Sequence, residues 1–217
     1  MSKAGKLVVF EGLDGCGKST QLEYLRERLS TLCKEVGTRK VFTTREPSDS
    51  IPGLICRSVS KKIIHVQNET EALLFAADRY EHIVGEILPQ LKAGNHVLCD
   101  RFYLSSFAYQ SIEIDPNTIL QYNLASMELI APDVTIFIDV SPEECERRRA
   151  SGRATEEKYE NVERARIIRE RYMESIDSLG KRNGEVLFIN GARGPKEVFE
   201  DLWSNELSRR IFTKDDY

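Results

Sequence analysis

The clearest candidate for chemistry in this sequence is a glycine-rich segment close to residue 12. Residues 12–19 read GLDGCGKS and match the pattern G-x-x-x-x-G-K-[ST] at every defined position. Glycine permits backbone angles that turn successive N–H groups inward, so a loop of this kind can hold phosphates. Lys18 can reach the β- and γ-phosphates of a nucleoside triphosphate, and Ser19 can ligate Mg²⁺. The predicted triphosphate-binding residues are Gly12, Leu13, Asp14, Gly15, Cys16, Gly17, Lys18, Ser19 and Thr20.

The segments on either side of this loop have the patterns that it requires. Lys6–Phe10 is an almost continuous apolar run, which is typical of a strand buried on both faces. Four leucines within Ser19–Leu32 have helical spacing, and the start of that helix would add partial positive charge to the loop. This context disfavours the alternative of a glycine-rich turn with a chance lysine. The guanine-reading pattern N-K-x-D is absent from the sequence, which argues against a GTPase switch.

Elsewhere, short β-branched runs alternate with longer helical stretches. Further strands are predicted at Val41–Thr44, Val97–Cys99, Val134–Val140 and Val186–Ile189. The intervening helices are predicted at Glu69–Lys92 with a kink or break at Pro89, at Thr118–Ile130, from Pro142 towards Arg149, at Val162–Leu179 and at Pro195–Leu207, whereas the segment with Pro47 and Pro52 is predicted to be a loop. This alternation predicts an α/β fold of the P-loop NTPase type, a three-layer fold in which a five-stranded parallel sheet has helices on both faces.

Composition and charge limit the classes of function that need to be considered. The chain has 217 residues and a net charge of -4, and we expect one soluble domain over residues 1–217 with no affinity for nucleic acid or membrane surfaces. The apolar run near the start is short, so neither a signal peptide nor a transmembrane span is expected. The five cysteines are scattered without a C-x-x-C pair, which predicts reduced thiols in the cytoplasm rather than disulfides or a zinc site.

Arginines near the ends of predicted strands indicate a second, phosphorylated substrate. Arg45 follows the second strand and Arg101 follows the third, and Arg57 and Arg79 lie between them along the chain. Ligands of open parallel sheets bind beyond the carboxyl ends of the strands, so Arg45 and Arg101 should face the phosphate loop. A nucleoside monophosphate and a triphosphate repel each other, and cations between them would permit phosphoryl transfer.

Three further motifs identify a family that the chain resembles. They are TREP at residues 44–47, LFAADR at 74–79 and DRFYLSSFAYQ at 100–110. Together with the phosphate loop and in this order, they resemble the thymidylate kinases (dTMP kinases) from about Lys6 to Phe199. The resemblance implies transfer of the γ-phosphoryl group of Mg·ATP to dTMP in the biosynthesis of dTTP, and it suggests a homodimer.

The same resemblance implies a role for each residue that matches a family motif. Lys18, Arg45 and Arg101 would be catalytic, and Asp14 would accept a hydrogen bond from the 3′-hydroxyl of the sugar. Phe75 would stack on thymine and Arg79 would bind its edge. Ser19 and Asp100 would hold Mg²⁺. The remaining residues of the predicted dTMP site are Glu46 and Pro47, which form a tight loop in which proline permits a cis bond, Arg57 beside the acceptor phosphate, and Ser106, Tyr109 and Gln110 around the base.

Residues 147–158, which read RRRASGRATEEK, resemble the LID segment that closes over ATP in related kinases. We expect Arg148 to stack on adenine and Arg153 to be catalytic, with Arg149 as the second choice for either role. One subtype of the family has an arginine at the position of Gly15. Because glycine stands at this position here, we expect the other subtype, in which the LID supplies the positive charge. The alternative is a solvated helix end whose arginines favour the helix dipole.

Other interpretations of these residues stay open at this stage. Phe75 could belong to the core, Arg79 could be a surface charge, Asp100 could cap a turn, and Tyr109 suits a core position as well as a ligand contact. For the whole chain, the alternatives are another nucleotide or nucleoside kinase on the same fold, and a nucleotide-binding protein without catalytic activity.

Overall fold

The computed structural model describes residues 5–36, 39–151, 161–204 and 212, and the sheet within these residues is the predicted one. Its five strands are β1 (Leu7–Glu11), β2 (Val41–Arg45), β3 (His96–Asp100), β4 (Val134–Asp139) and β5 (Glu185–Asn190). They are parallel and lie in the order β2-β3-β1-β4-β5. The strand positions predicted from the sequence are therefore confirmed to within two residues.

The central strand β1 explains why its sequence is apolar without interruption. Successive side chains of a strand point to opposite faces of the sheet. The four side chains from Leu7 to Phe10 are nevertheless all buried, so both faces of the sheet are covered at this strand. The register then pairs Phe10 with Asp100 and Arg45 with Asp100, which brings the ends of β1, β2 and β3 together at one edge.

The helices follow the predicted alternation, with bounds that differ at several ends. They are α1 (Lys18–Val36), α2 (Ile51–Ser60), α3 (Asn68–His82), α4 (Leu88–Lys92), α5 (Tyr103–Tyr109), α6 (Pro116–Leu129), α7 (Pro142–Ser151), α8 (Val162–Leu179) and α9 (Pro195–Leu202). Helix α1 contacts β1, β2, β3 and α9, whereas α5 packs on α8. Among the described residues, no helix is long and apolar enough to cross a membrane.

Helix α2 corrects the prediction of a loop around Pro47 and Pro52. Pro52 lies in the first turn of the helix, where a backbone N–H has no partner within the helix and its loss costs little. Ser50 precedes it, and its hydroxyl accepts a hydrogen bond from the N–H of Gly53 at 3.2 Å. The proline therefore starts this helix rather than preventing it.

The predicted break at Pro89 takes the form of a wider helical turn. Residues Ile83–Ile87 form a π-helical turn between α3 and α4, in which the N–H of Leu88 donates to the carbonyl of Ile83. Proline has no N–H, and its ring would clash with the carbonyl four residues earlier in a regular helix. A wider turn just before Pro89 accommodates the ring, so the chain stays helical up to Lys92.

Candidate active site

The phosphate loop joins β1 to α1 in a shape that depends on glycine. Gly12 and Gly15 have φ angles of 140° and 89°, which L-residues with a side chain rarely adopt. Lys18 begins α1, and its ammonium group folds back over the loop to donate to the carbonyls of Gly12 at 3.0 Å and Leu13 at 2.8 Å. The lysine is buried, so its charge is held inside the loop where phosphates would bind.

Ser19 and Asp100 meet at the opening of this loop. The hydroxyl of Ser19 donates to Oδ2 of Asp100 at 2.9 Å. The other carboxylate oxygen, Oδ1, is buried and has no hydrogen-bond partner among the described residues. An unpaired buried carboxylate oxygen beside a hydroxyl suits Mg²⁺, which prefers oxygen ligands and takes few of them from the protein.

Arg101 connects the end of β3 to the phosphate loop. Its φ angle of 73° lies in the left-handed region, and its guanidinium group ion-pairs with Asp14. The same group donates to the hydroxyls of Ser105 at 3.0 Å, Tyr172 at 3.0 Å and Tyr109 at 3.2 Å. Burial alone would raise the pKa of Asp14, but the charges of Arg101 and Lys18 outweigh it and lower this pKa to about 2.

Glu11, at the end of β1, is fully buried behind Arg101. One carboxylate oxygen accepts hydrogen bonds from the N–H of Phe102 at 2.8 Å and of Ser105 at 3.2 Å. The other accepts from the hydroxyls of Ser105 at 2.7 Å and Tyr172 at 3.0 Å. Burial raises the pKa of Glu11, although the charge of Arg101 and these hydrogen bonds act in the opposite direction.

The TREP segment is held by a buried cluster on α3. Oε2 of Glu46 accepts from Nε of Arg79 at 2.9 Å and pairs with its NH2 group at 2.7 Å. Oε1 of Glu46 lies 3.3 Å from Nδ1 of His82, whose Nε2 lies 2.7 Å from the hydroxyl of Thr44. Burial lowers the pKa of His82, but Glu46 outweighs this effect and the pKa is raised. The peptide bond between Glu46 and Pro47 is cis, as that proline permits.

Arg79 is a buried residue and not the surface charge considered above. Besides Glu46, its guanidinium group donates to the hydroxyl of Ser106 at 2.9 Å, to Oδ1 of Asn123 and to the carbonyl of Phe102 at 3.1 Å. Four of its five N–H bonds thus donate to protein groups, and its NH2 group also pairs with Glu46. Its predicted contact with the edge of thymine would require one of these partners to be exchanged for the base.

The other predicted acceptor residues surround this cluster. Arg45 is exposed at the end of β2 and lines the cleft beside the phosphate loop. Arg57 donates to the carbonyl of Pro47 at 2.8 Å and pairs with Asp49 at 3.0 Å, so it holds the TREP segment from α2. Phe75 is only partly buried on α3. Tyr109 lies under the guanidinium group of Arg101, with 5.1 Å between the ring centroid and Cζ. Gln110 is buried, and its Oε1 has no partner within the described part of the chain.

Two arginines of α7 reach the phosphate loop. Arg148 donates to the carbonyl of Gly191 at 2.9 Å and pairs with Glu144 at 2.8 Å. Arg149 donates to the carbonyl of Asp14 at 3.1 Å. Arg153, the predicted catalytic arginine, lies outside the described residues, as do residues 154–158 of the predicted LID.

Helix α7 also fills the space next to Gly15. A Cβ atom at this position would lie 2.7 Å from the carbonyl oxygen of Cys145 and 3.1 Å from Cγ of Arg149. The backbone angle and the helix together exclude a side chain here. An arginine at position 15 would therefore need a displacement of α7.

These residues line two neighbouring clefts at the carboxyl edge of the sheet. The first has a volume of about 400 Å³ and is lined by Asp14, Lys18, Ser19, Arg45, Glu46, Asp100, Arg101, Arg148 and Arg149. The second has about 430 Å³ and lies between the loop at 15–17, Arg148 and residues 191–195. A larger groove of about 660 Å³ beside Asp139 and Phe188 contains none of the predicted site residues. The site is thus two-sided, with the phosphate loop shared by both clefts.

Comparison with known proteins shows the family of the chain. Residues 10–202 match the family described as Thymidylate kinase. The chain belongs to the thymidylate kinase family. It is similar to the thymidylate kinase of Limosilactobacillus reuteri (strain DSM 20016), with 34% identity over 91% of this chain and 93% of the relative. It is equally similar to the thymidylate kinase of Thermoanaerobacter sp. (strain X514), with 34% identity over 91% and 95%. A probable thymidylate kinase of Pyrococcus horikoshii shares 34% identity over 91% and 94%.

Several residues that hold the site together were not predicted from the sequence. His82, Asn123 and Tyr172 contact predicted site residues that are far from them along the chain, and Glu11 contacts Phe102 and Ser105 beside Arg101. Glu11 carried one local signal, since it is a charged residue that directly continues the apolar run of β1. Tyr172 carried none, because its partners are brought to it only by the packing of α8.

Proposed function

We propose that this protein transfers the γ-phosphoryl group of ATP to dTMP, giving ADP and dTDP for the synthesis of dTTP. The observation that carries this proposal is the ion pair between Arg101 and Asp14. It joins the end of β3, where the family's acceptor motif lies, to the loop that holds the triphosphate. The two substrates would then meet in the cleft lined by Lys18 and Arg45.

Phosphoryl transfer at this site needs positioning and charge more than a general base. The acceptor phosphate is largely ionised at neutral pH, since the second pKa of a phosphate monoester is about 6. Arg45 and Arg101 would hold this phosphate, and Lys18 would hold the donor. Cations between the two phosphates offset their repulsion and stabilise the charge that spreads over the transferring group.

Mg²⁺ would be held by Ser19 and Asp100. The unpartnered Oδ1 of Asp100 and the adjacent hydroxyl supply two oxygen atoms at the opening of the loop. When bound, the ion would neutralise charge on the β- and γ-phosphates. Asp14 is ionised at neutral pH, since Arg101 and Lys18 outweigh the effect of burial and lower its pKa to about 2, and its carboxylate would accept the sugar 3′-hydroxyl.

The base would bind between α3 and α5. Phe75 is partly buried there, and Arg79 donates to Ser106 on the opposite helix. Oε1 of Gln110 is a buried acceptor without a partner in the described residues, and the N3–H of thymine is a donor that would satisfy it. Cytosine has an acceptor at this position, so the same geometry favours thymine.

We assign the cleft beside Arg148 to adenine. We also propose that arginines of α7 and the LID supply the positive charge that an arginine at position 15 supplies in the other subtype. Arg149 already contacts the phosphate loop at Asp14, which supports the LID-arginine subtype. Arg153 remains the predicted catalytic residue of that segment. We also propose that residues 1–217 form one domain. A cytoplasmic location is proposed because the five cysteines are buried free thiols.

A second copy of the chain would cover an apolar surface on α2 and α3. Ile51, Leu54 and Ile55 of α2 and Leu73 and Tyr80 of α3 are exposed, and they recur at helical spacing along one side of each helix. Helices α2 and α3 also pack on each other, so these stripes are neighbours. Exposed apolar area of this kind marks an interface, and the family resemblance favours a homodimer.

An assay with a panel of acceptors tests the proposed reaction. ATP and Mg²⁺ are supplied with dTMP, dUMP, dCMP, dAMP or thymidine, and the diphosphate or monophosphate product is measured. We expect dTMP to have the highest kcat/KM. Phosphorylation of thymidine without phosphorylation of dTMP would indicate a nucleoside kinase, and binding of ATP without any product would indicate a non-catalytic protein.

A further inference from the structure

Arg101 has a guanidinium group that is held in place by side chains from other parts of the chain. Its left-handed φ of 73° turns the chain sharply between β3 and α5, and its guanidinium group is mostly buried. Apart from Asp14, the groups that receive its N–H bonds are three hydroxyls, those of Ser105, Tyr109 and Tyr172. A hydroxyl can rotate and can either donate or accept. Something must therefore keep lone pairs of these hydroxyls directed at Arg101.

Glu11 supplies that constraint for two of the three hydroxyls. An ionised carboxylate only accepts hydrogen bonds, so the hydroxyls of Ser105 and Tyr172, at 2.7 Å and 3.0 Å from Oε2, can both donate to it, and the two hydroxyl oxygens also lie 2.9 Å from each other. Their lone pairs are then left for NH1 of Arg101, which lies 3.0 Å from each oxygen. Burial raises the pKa of Tyr172 well above its usual range, so its hydroxyl keeps the proton that this arrangement needs.

The same carboxylate fixes the helix that carries Ser105. The N–H groups of Phe102 and Ser105 both donate to Oε1 of Glu11. Phe102 is the N-cap of α5, and its side chain accepts no hydrogen bond from the start of the helix. The carboxylate of Glu11, at the end of β1, caps the helix instead. The start of α5, the hydroxyl of Ser105 and the hydroxyl of Tyr172 are thus aligned by one buried group.

We propose that Glu11, acting through Ser105 and Tyr172, is a positioning residue that holds Arg101 in the geometry required to bind the acceptor phosphate. The inference rests on the proposed function, because it is the dTMP phosphate that Arg101 would bind. It assigns to the end of β1 a role on the acceptor side of the reaction. Loss of this alignment should weaken the use of dTMP and leave the use of ATP unchanged.

The test uses Tyr172→Phe and Ser105→Ala, which remove one oxygen each and keep the packing. We expect kcat/KM for dTMP to fall about tenfold in each variant, since one hydrogen bond to a charged group is lost while others remain. KM for ATP should stay within twofold. Tyr103→Phe is the matched control, because its hydroxyl lies on the same helix but donates to the carbonyl of Arg182 outside the site. Its kinetics should equal those of the wild-type protein.

Two further measurements separate positioning from a general loss of structure. Combining Tyr172→Phe with Arg101→Lys should give a smaller loss than the product of the two single losses, since both act on one interaction. Crystal structures of the wild-type and Tyr172→Phe proteins should show the guanidinium group of Arg101 displaced in the variant. Glu11→Gln should have the largest effect, because its amide N–H₂ group would face other donors.

Several results would overturn this inference. The first is a kcat/KM for dTMP within twofold of wild type in both Tyr172→Phe and Ser105→Ala, and the second is an equal loss in kcat/KM for ATP and for dTMP. The others are a double variant whose loss equals the product of the losses of Tyr172→Phe and Arg101→Lys, and a Tyr172→Phe structure in which Arg101 has not moved. The crystallographic comparison does not depend on activity. A wild-type protein that fails to phosphorylate dTMP would instead refute the proposed function, while the position of Arg101 in the two structures would still decide the role of Glu11 and Tyr172.

Discussion

Arg79 and Glu46 form a buried ion pair in which Nε of Arg79 donates to Oε2 of Glu46 at 2.9 Å and NH2 lies 2.7 Å from the same oxygen. Their side chains are 1% and 3% exposed, so this ion pair belongs to the interior of the protein. It connects the TREP segment after β2 to α3. The proposed acceptor site is therefore built around a charged pair that water does not screen.

Glu46→Gln should strongly destabilise the fold. The change keeps the shape of the side chain but leaves the buried charge of Arg79 without its partner, and breaking such a pair costs about 3–5 kcal/mol. The free energy of unfolding measured with urea should fall by that amount. Glu23→Gln is the control, since Glu23 pairs with Arg26 on the surface of α1 and its loss should cost less than about 1 kcal/mol. Equal effects of the two changes would contradict a buried, energetically coupled pair.

Gly15→Ala should destabilise the protein more than Gly17→Ala. Both glycines have positive φ angles, 89° and 104°, so alanine at either position costs about 1–2 kcal/mol in backbone strain. Only the Cβ at position 15 would meet α7, at 2.7 Å from the carbonyl of Cys145, whereas nothing lies within 4 Å of a Cβ at position 17. Urea unfolding without ligands should show an excess loss of about 1 kcal/mol or more for Gly15→Ala. Equal losses would mean that α7 does not rest on the loop.

Arg148→Ala should impair the use of ATP while sparing that of dTMP. Arg148 lines the cleft assigned to adenine, and loss of a cation over an aromatic ring is worth about tenfold in KM for ATP. Arg166→Ala is the control, because that side chain is 53% exposed, pairs with Glu143 and lines neither cleft. An unchanged KM for ATP in Arg148→Ala, or equal changes in KM in both variants, would refute the assignment of this cleft to adenine.

The contribution of Asp14 to stability should disappear in acid. Its pKa is lowered from 3.8 to about 2 by Arg101 and Lys18, so the folded protein favours the ionised form. A lowered pKa stabilises the fold above the ordinary value, and this stability is lost as the pH falls from about 4 towards 2. The difference in unfolding free energy between wild type and Asp14→Asn should therefore be constant above about pH 5 and shrink below it. A difference that does not change down to pH 2.5 would argue against the ion pair with Arg101.

Leu54→Asp should convert the proposed dimer to a monomer. Leu54 is 53% exposed on α2, in the centre of the apolar stripe that a second copy would cover. A buried aspartate in an apolar interface has no partner and disfavours association. Sedimentation velocity at micromolar concentration measures the change. Ile167→Asp on α8 lies on a different exposed surface and should leave the dimer intact. A wild-type protein that sediments as a monomer would refute the interface.

Features governed by neighbouring residues could be predicted from the sequence. The phosphate loop depends on local backbone angles, and the strand–loop–helix context is written in consecutive residues from Lys6 to Leu32. The meeting of Arg45 and Arg101 with the loop also followed, because parallel strands end at a common edge. Strand positions were predictable as well, since β1 and β4 are buried on both faces and their sequences are largely apolar.

Features governed by distant partners could not be predicted in this way. Pro52 indicated a loop, but Ser50 caps a helix that packs on α3. The groups that accept hydrogen bonds from Arg79 belong to Glu46, Phe102, Ser106 and Asn123, which approach it only in the folded chain. Glu11 and Tyr172 are separated by 161 positions, and no periodicity connects them.

The contact between α7 and Gly15 also bears on how such a site can change over generations. A single substitution that introduces arginine at position 15 would meet the carbonyl of Cys145 and the stem of Arg149 before it could reach a phosphate. The two ways of supplying the cation are therefore alternatives that compete for one volume. We expect a lineage to pass from one to the other only by shifting the backbone of α7 at position 145 and changing the side chain at 149, so residues 15 and 149 should vary together.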